Sequence, residues 1–233
     1  MAASDQSGNA VEQAYLAATT FIDSDNPRVR ALADEFGHIT DLKQRAIAIY
    51  YAVRDRFLYD PYSLDYTPKG MSAGYVIERG RGFCVSKAVL LAAVARAAGI
   101  PSRLGFADVK NHLATPRLLE LMGTDIFHFH GYTELLIEGR WVKATPAFNI
   151  ELCDKFRVKP LEFDGETDSI FHAYDADNRR HMEYVSDRGQ FADLPYVEWL
   201  AGMKKYYPTM VRDSGFTMPG GDFAAEAEAT QRS

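Results

Sequence analysis

Cys84 is the first residue whose setting suggests chemistry. It follows Gly80-Arg81-Gly82-Phe83 and opens a run of small apolar residues that ends near Ala98. At a helix N-terminus, unpaired N–H groups and the positive end of the helix dipole favour a thiolate, and Arg79 and Arg81 add positive charge nearby. The same N–H groups could hold an oxyanion, and the glycines permit a sharp turn with close approach of a substrate. The alternative for a lone cysteine is a buried structural residue. Cys153, the other cysteine, lies in Glu151-Leu152-Cys153-Asp154, where adjacent acids oppose ionisation. Neither belongs to a CxxC pair, which argues against a structural zinc site.

A thiol nucleophile needs a base, and the chain has six histidines. His128 and His130 fall in a segment with strand alternation. It sets Phe127, Phe129, Leu135 and Ile137 on one face, and His128, His130, Tyr132 and Glu134 on the other. A cleft-facing imidazole on a rigid strand suits a general base. For either histidine alone, a hydrogen-bonded structural residue is the better reading. A metal reading also exists, in which His128 and His130 are joined by His112 or Glu134 in a zinc or iron set. HxH alone is a weak signal for it. Residues 108–112 read as a loop near the cleft, either positioning substrate or forming an Asx turn.

Taken together, the motifs carry more. Gly82-Phe83-Cys84-Val85-Ser86-Lys87-Ala88 heads the helix, Gly99-Ile100-Pro101-Ser102-Arg103 stops it, and His130-Gly131-Tyr132-Thr133-Glu134-Leu135 precedes Gly139-Arg140-Trp141. In order, spacing and local structure this grammar resembles the transglutaminase-like superfamily over residues 41–146, with Tyr51–Asp55 leading in. The resemblance implies a papain-like core with Cys84 on the helix and His130 on the first strand of a hairpin. It also implies acyl transfer through a thioester on Cys84. The substrate would be an amide-containing small molecule, peptide or protein. No metal or organic cofactor is implied, and no acidic calcium loop is visible.

The sequence departs from the family at the third residue. Where an aspartate would follow the tryptophan, this chain reads Trp141-Val142-Lys143-Ala144-Thr145-Pro146. Thr145 can accept a hydrogen bond from an imidazole Nδ1–H but brings no charge to stabilise an imidazolium. Asn149 could orient the ring instead, and Asp108, Asp164 and Asp168 are further candidates. The missing carboxylate keeps a second reading open, that of a catalytically weak or inactive module binding a peptide or protein in the cleft.

The elements that must position these groups are legible in outline. Helices are expected over residues 27–36, 41–57 and 196–206, with a helical turn near 73–78. The Cys84 helix stops at Gly99 with Pro101 beyond it. Strands are expected over 15–22, 102–108, 127–137 and 140–146, the last two joined by Glu138-Gly139 as a tight hairpin, with another near 158–163. A buried helix followed by antiparallel strands is an α+β pattern. The expected fold is therefore a transglutaminase-like, papain-like core with the nucleophile helix packed on an antiparallel sheet.

The chain has 233 residues, enough for one full core. Residues 1–10 and 217–233 read as loosely held termini, and 11–216 as a single domain with its core at 41–149 and an extension at 150–216 that is expected to cover the cleft. The formal net charge of −6 gives no basic footprint for nucleic acid. The longest apolar run is interrupted by Arg96 and too short to span a bilayer. No basic n-region precedes an apolar core at the start, so a cytoplasmic setting with reduced thiols is expected.

Overall fold

The computed structural model describes residues 12–62, 64–112, 114–170, 182–212, 215–216 and 221–231. The first ten residues and the tail positions 217–220, expected to be loosely held, lie outside the described residues. Helix α1 (Pro27–Asp34) starts where Asn26 accepts the Arg28 N–H at 3.0 Å with Pro27 in the first turn. Helix α2 (Leu42–Arg56) is capped by Asp41, which accepts the Gln44 N–H at 2.8 Å. A two-residue parallel pair, β1 (Leu58–Tyr59) and β2 (Arg81–Gly82), brackets α3 (Ala73–Arg79). Helix α4 (Cys84–Ala97) follows directly.

The main sheet has order β5-β4-β3-β6 and is antiparallel throughout. Its strands are β3 (Ser102–Asn111), β4 (Ile126–Ile137), β5 (Arg140–Ala144) and β6 (Met182–Phe191). Glu138 and Gly139 join β4 to β5 with φ of +50° and +76°, the two positive values that a tight primed turn requires. Short helices α5 (Pro116–Met122) and α6 (Ile150–Phe156) lie between strands, and α7 (Tyr196–Tyr206) follows β6. A small ribbon, β7 (Val211–Arg212) with β8 (Gly215–Phe216), precedes α8 (Phe223–Gln231). The architecture is the expected α+β, papain-like arrangement.

Helix α4 is the centre of the molecule. From Cys84 to Arg96 every residue is buried, because every face carries a small or branched apolar side chain. It packs across β4, where the Thr133 hydroxyl donates to the Ala88 carbonyl at 2.8 Å. Gly131 brings the two elements together: a Cβ there would stand 2.9 Å from the Val85 Cα.

Several expected elements differ, each for a readable reason. Residues 15–22 form no strand. The Tyr15 carbonyl accepts the Ser102 N–H at 2.9 Å and the Ala17 carbonyl accepts the Arg96 guanidinium at 2.6 Å, so single contacts replace a ladder. Residues 158–163 are likewise irregular, since the Leu161 carbonyl takes the Tyr50 hydroxyl and Arg54 Nη1, and the Phe163 N–H donates to Tyr51. Strand β6 is largely exposed and polar along the sheet edge, which hides it from an apolar periodicity. The terminal segment expected to be loose instead forms α8 over 223–231. Phe223 and Ala227 are buried, and the Glu226 carboxylate accepts the Tyr62 hydroxyl at 2.6 Å.

One buried lysine fastens the core. Lys87 is wholly buried in α4, and its Nζ donates to the carbonyls of Arg54 and Ala147, each at 2.8 Å. Burial lowers its pKa to about 7. The folded state thus prefers the neutral amine, while the unfolded chain stays protonated to about pH 10.4. Between those values the unfolded state binds more protons, so Lys87 makes stability rise with pH. Lys87→Met should cost about 1–3 kcal/mol for each carbonyl left unpaired. Denaturant titrations should show wild type gaining on that variant from pH 7 to pH 9. A pH-independent difference would contradict a buried neutral amine.

Candidate active site

The Phe83 N–H donates to Ser86 Oγ at 3.0 Å, a local cap that sets Cys84 as the first residue of α4. Burial pushes the Cys84 thiol up to about 11, against the backbone N–H groups of Gly131, Val85 and Cys84, which pull it down. The expected thiolate is therefore corrected to a neutral thiol. The helix N-terminus does face the sulfur, but desolvation outweighs it. Arg81 is turned to Asp60 at 3.0 Å, and neither Arg79 nor Arg81 acts on the thiol.

His130 follows the same physics. It is 5% exposed, and burial alone brings its pKa down to about 4. Cys84 and His130 open on one cavity of about 60 Å³, walled by Tyr59, Tyr66, Phe83, Trp199, Met203 and Tyr207. A pocket of about 10 Å³ joins His130 to Thr145 and Phe148. Thr145 is buried, its hydroxyl donates to the Ile170 carbonyl at 2.7 Å, and its N–H donates to the Ser169 carbonyl at 2.8 Å. With the hydroxyl hydrogen committed to Ile170, the lone pairs of Oγ1 remain available as acceptors.

The other candidates for a third residue are engaged elsewhere. Asn149 Oδ1 accepts the Tyr59 N–H at 3.1 Å. Asp164 caps the N–H groups of Glu166 and Thr167, and Asp168 accepts the Lys143 N–H at 2.9 Å. Asp108 lies inside β3 and not in a loop, so residues 108–111 are strand rather than the expected turn. His128 Nδ1 sits 3.0 Å from Asp108 Oδ2, and its ring stacks on Tyr206 at 3.8 Å. His112 lies 3.4 Å from Glu183, while Glu134 is paired with Arg103. The histidines and Glu134 weighed as metal ligands are thus dispersed. Among the described residues no group of three His, Cys, Asp or Glu could hold a metal ion. Cys153 is fully buried away from the cavity, with its thiol pushed up to about 12 by burial.

Helix α7, inside the 150–216 extension, supplies part of the cavity wall. The Tyr207 hydroxyl accepts the His128 N–H and donates to the Ile126 carbonyl at 3.1 Å, pinning the start of β4. The signal available was the spacing of Trp199 and Met203, four residues apart on one helix face. No helix among the described residues is long and apolar enough to cross a membrane.

The Transglut_core pattern of the transglutaminase-like superfamily matches residues 30–146. A protein-glutamine gamma-glutamyltransferase of Pseudomonas aeruginosa is 36% identical over 132 residues, covering 54% of this chain and 19% of that protein. The chain thus spans about a fifth of that relative's length. Among solved structures, a putative cysteine protease from Cytophaga hutchinsonii aligns with TM-score 0.45 and 20% identity, over 76% of this chain and 53% of the other. The periplasmic domain of TgpA from Pseudomonas aeruginosa aligns with TM-score 0.39 and 27% identity, over 52% and 42%. With a matched core that carries Cys84, His130 and Thr145, this chain belongs to the transglutaminase-like superfamily.

Proposed function

We propose that the chain is a cysteine-dependent enzyme of acyl transfer or hydrolysis at an amide bond. The observation that carries this reading is the shared cavity, onto which the α4 thiol and the His130 imidazole both open. Cys84 attacks the amide carbonyl carbon while His130 takes the thiol proton. The carbonyl oxygen, now an oxyanion, is held by the backbone N–H of Cys84 and its neighbours. Collapse expels the amine, which leaves with the proton from His130, and a thioester remains on Cys84. Water or a second amine then gives its proton to His130 and attacks the thioester, releasing acid or a new amide and restoring the thiol. The similarity to a protein-glutamine gamma-glutamyltransferase supports a glutamine-type carboxamide as one donor. Both cysteines are free, which accords with a reducing, cytoplasmic setting.

Thr145 serves in this reading as the neutral acceptor for His130 Nδ1–H, with its own hydrogen held by Ile170. One observation favours a second reading, a peptide-binding module with little turnover: thiol and imidazole are both buried and neutral, and no carboxylate stands at the third position. Release of amine from a panel of amides and glutamine peptides separates the two. Wild type should release it and Cys84→Ala should not, whereas equal background from both would leave only the binding role.

The pH dependence follows from burial. His130 must be neutral to take a proton, and its pKa is lowered to about 4, so the neutral form persists well below the ordinary imidazole range. Turnover should hold as pH falls through 6 and decline only towards pH 4. An acid limb centred near pH 6.5 would show His130 to be solvated. Thr145→Val should reduce kcat by about tenfold, the effect of one lost hydrogen bond to the imidazole, while Thr145→Ser should retain most of it. Equal rates for the two variants would remove Thr145 from the site.

A further inference from the structure

The residues just before His130 do not follow the strand they belong to. Phe129 has φ of +56°, a left-handed conformation that a bulky side chain rarely adopts. Opposite it the β3–β4 register shifts between Ala107 and Val109, and the β3–β6 register shifts between Asp108 and Val109. A bulge beside a site commonly re-aims a side chain. This one is built around a single carboxylate.

Asp108 is 5% exposed, and donors from β4 and β6 converge on it. Its Oδ1 accepts the Phe129 N–H at 3.1 Å. Arg188 forks onto both oxygens, with Nη2 at 2.8 Å from Oδ2. The Ser186 hydroxyl donates to Oδ2 at 3.2 Å, and His128 Nδ1 lies 3.0 Å from it. The Arg188 guanidinium also lies 4.0 Å from the centroid of the Phe129 ring. From the helix side, Gly202 makes room for that ring, since a Cβ there would stand 2.3 Å from Phe129 Cε2. Burial would raise the Asp108 pKa, but the bonds from Arg188, His128 and Phe129 win and hold the carboxyl below its usual range.

All of these groups converge on the residue that sets the direction of His130. We propose that Asp108 is a positioning residue for His130: by holding the Phe129 N–H it fixes the left-handed step that aims the imidazole into the cavity shared with Cys84. The orientation that a carboxylate behind the ring would impose is here imposed through the backbone. The proposal rests on His130 being the base for Cys84.

The test is a double-mutant cycle read by iodoacetamide alkylation of Cys84 at pH 7, with the full chain and peptide mapping by mass spectrometry. His130→Gln should slow alkylation. Asp108→Ala should slow it about tenfold in the parent protein and less than about twofold in the His130→Gln background. A purely structural loss would lower both backgrounds alike. Arg188→Gln leaves the carboxylate in place but loosens it, so it should give the same pattern at smaller size even where Asp108→Ala fails to fold. Equal losses in both backgrounds, or no loss in either, overturn the proposal while His130→Gln still slows the reaction. If His130→Gln has no effect, both the assignment of the base and this proposal fall.

Discussion

The approach of β4 to the N-terminus of α4 is the contact on which the rest depends. It is possible because residue 131 has no side chain; any Cβ would meet the Val85 backbone at 2.9 Å. That closeness brings the Gly131 N–H to the Cys84 sulfur and sets His130, one residue earlier, at the mouth of the same cavity. The helix must also be buried on all sides to sit there, which explains its unbroken run of small apolar residues. Ser86 capping Phe83 and Thr133 bonded to Ala88 fix the helix along its axis against the sheet.

Deep burial has an electrostatic consequence. A helix N-terminus and three backbone N–H groups would make an exposed thiol acidic, yet here desolvation wins and the thiol rises while the imidazole falls. The site at rest holds two neutral groups, so in the proposed reaction proton transfer would accompany attack rather than precede it. The same choice recurs at Lys87, which meets two carbonyls with a lowered pKa instead of an ion pair. Where a carboxylate is buried it is paired, as Asp108 is with Arg188 under the bulge.

What the sequence disclosed and what it withheld divide along physical lines. Helix α4, its Gly99 stop, the Glu138-Gly139 hairpin and the placement of Cys84 and His130 on one cavity rest on local rules and on a motif with fixed spacing, so they were legible. Strand β6 was not, because an exposed edge strand carries charges where periodicity looks for apolar residues. Helix α8 was missed because its anchors, Phe223 and Ala227, are too few to mark a buried face. The alternation read along β4 assumed regular strand, and the left-handed Phe129 interrupts it. No local signal announced Arg188, which reaches Asp108 from 80 residues away.

The central claim is that Cys84 carries the acyl group. Intact-mass spectrometry of the protein quenched in acid during reaction with an activated amide, followed by peptide mapping, reads this directly. The account predicts a thioester adduct of the acyl mass on the peptide containing Cys84, lost on treatment with hydroxylamine and absent from Cys84→Ala. An adduct on Cys153, or amine release by wild type with Cys84 never modified, would contradict it.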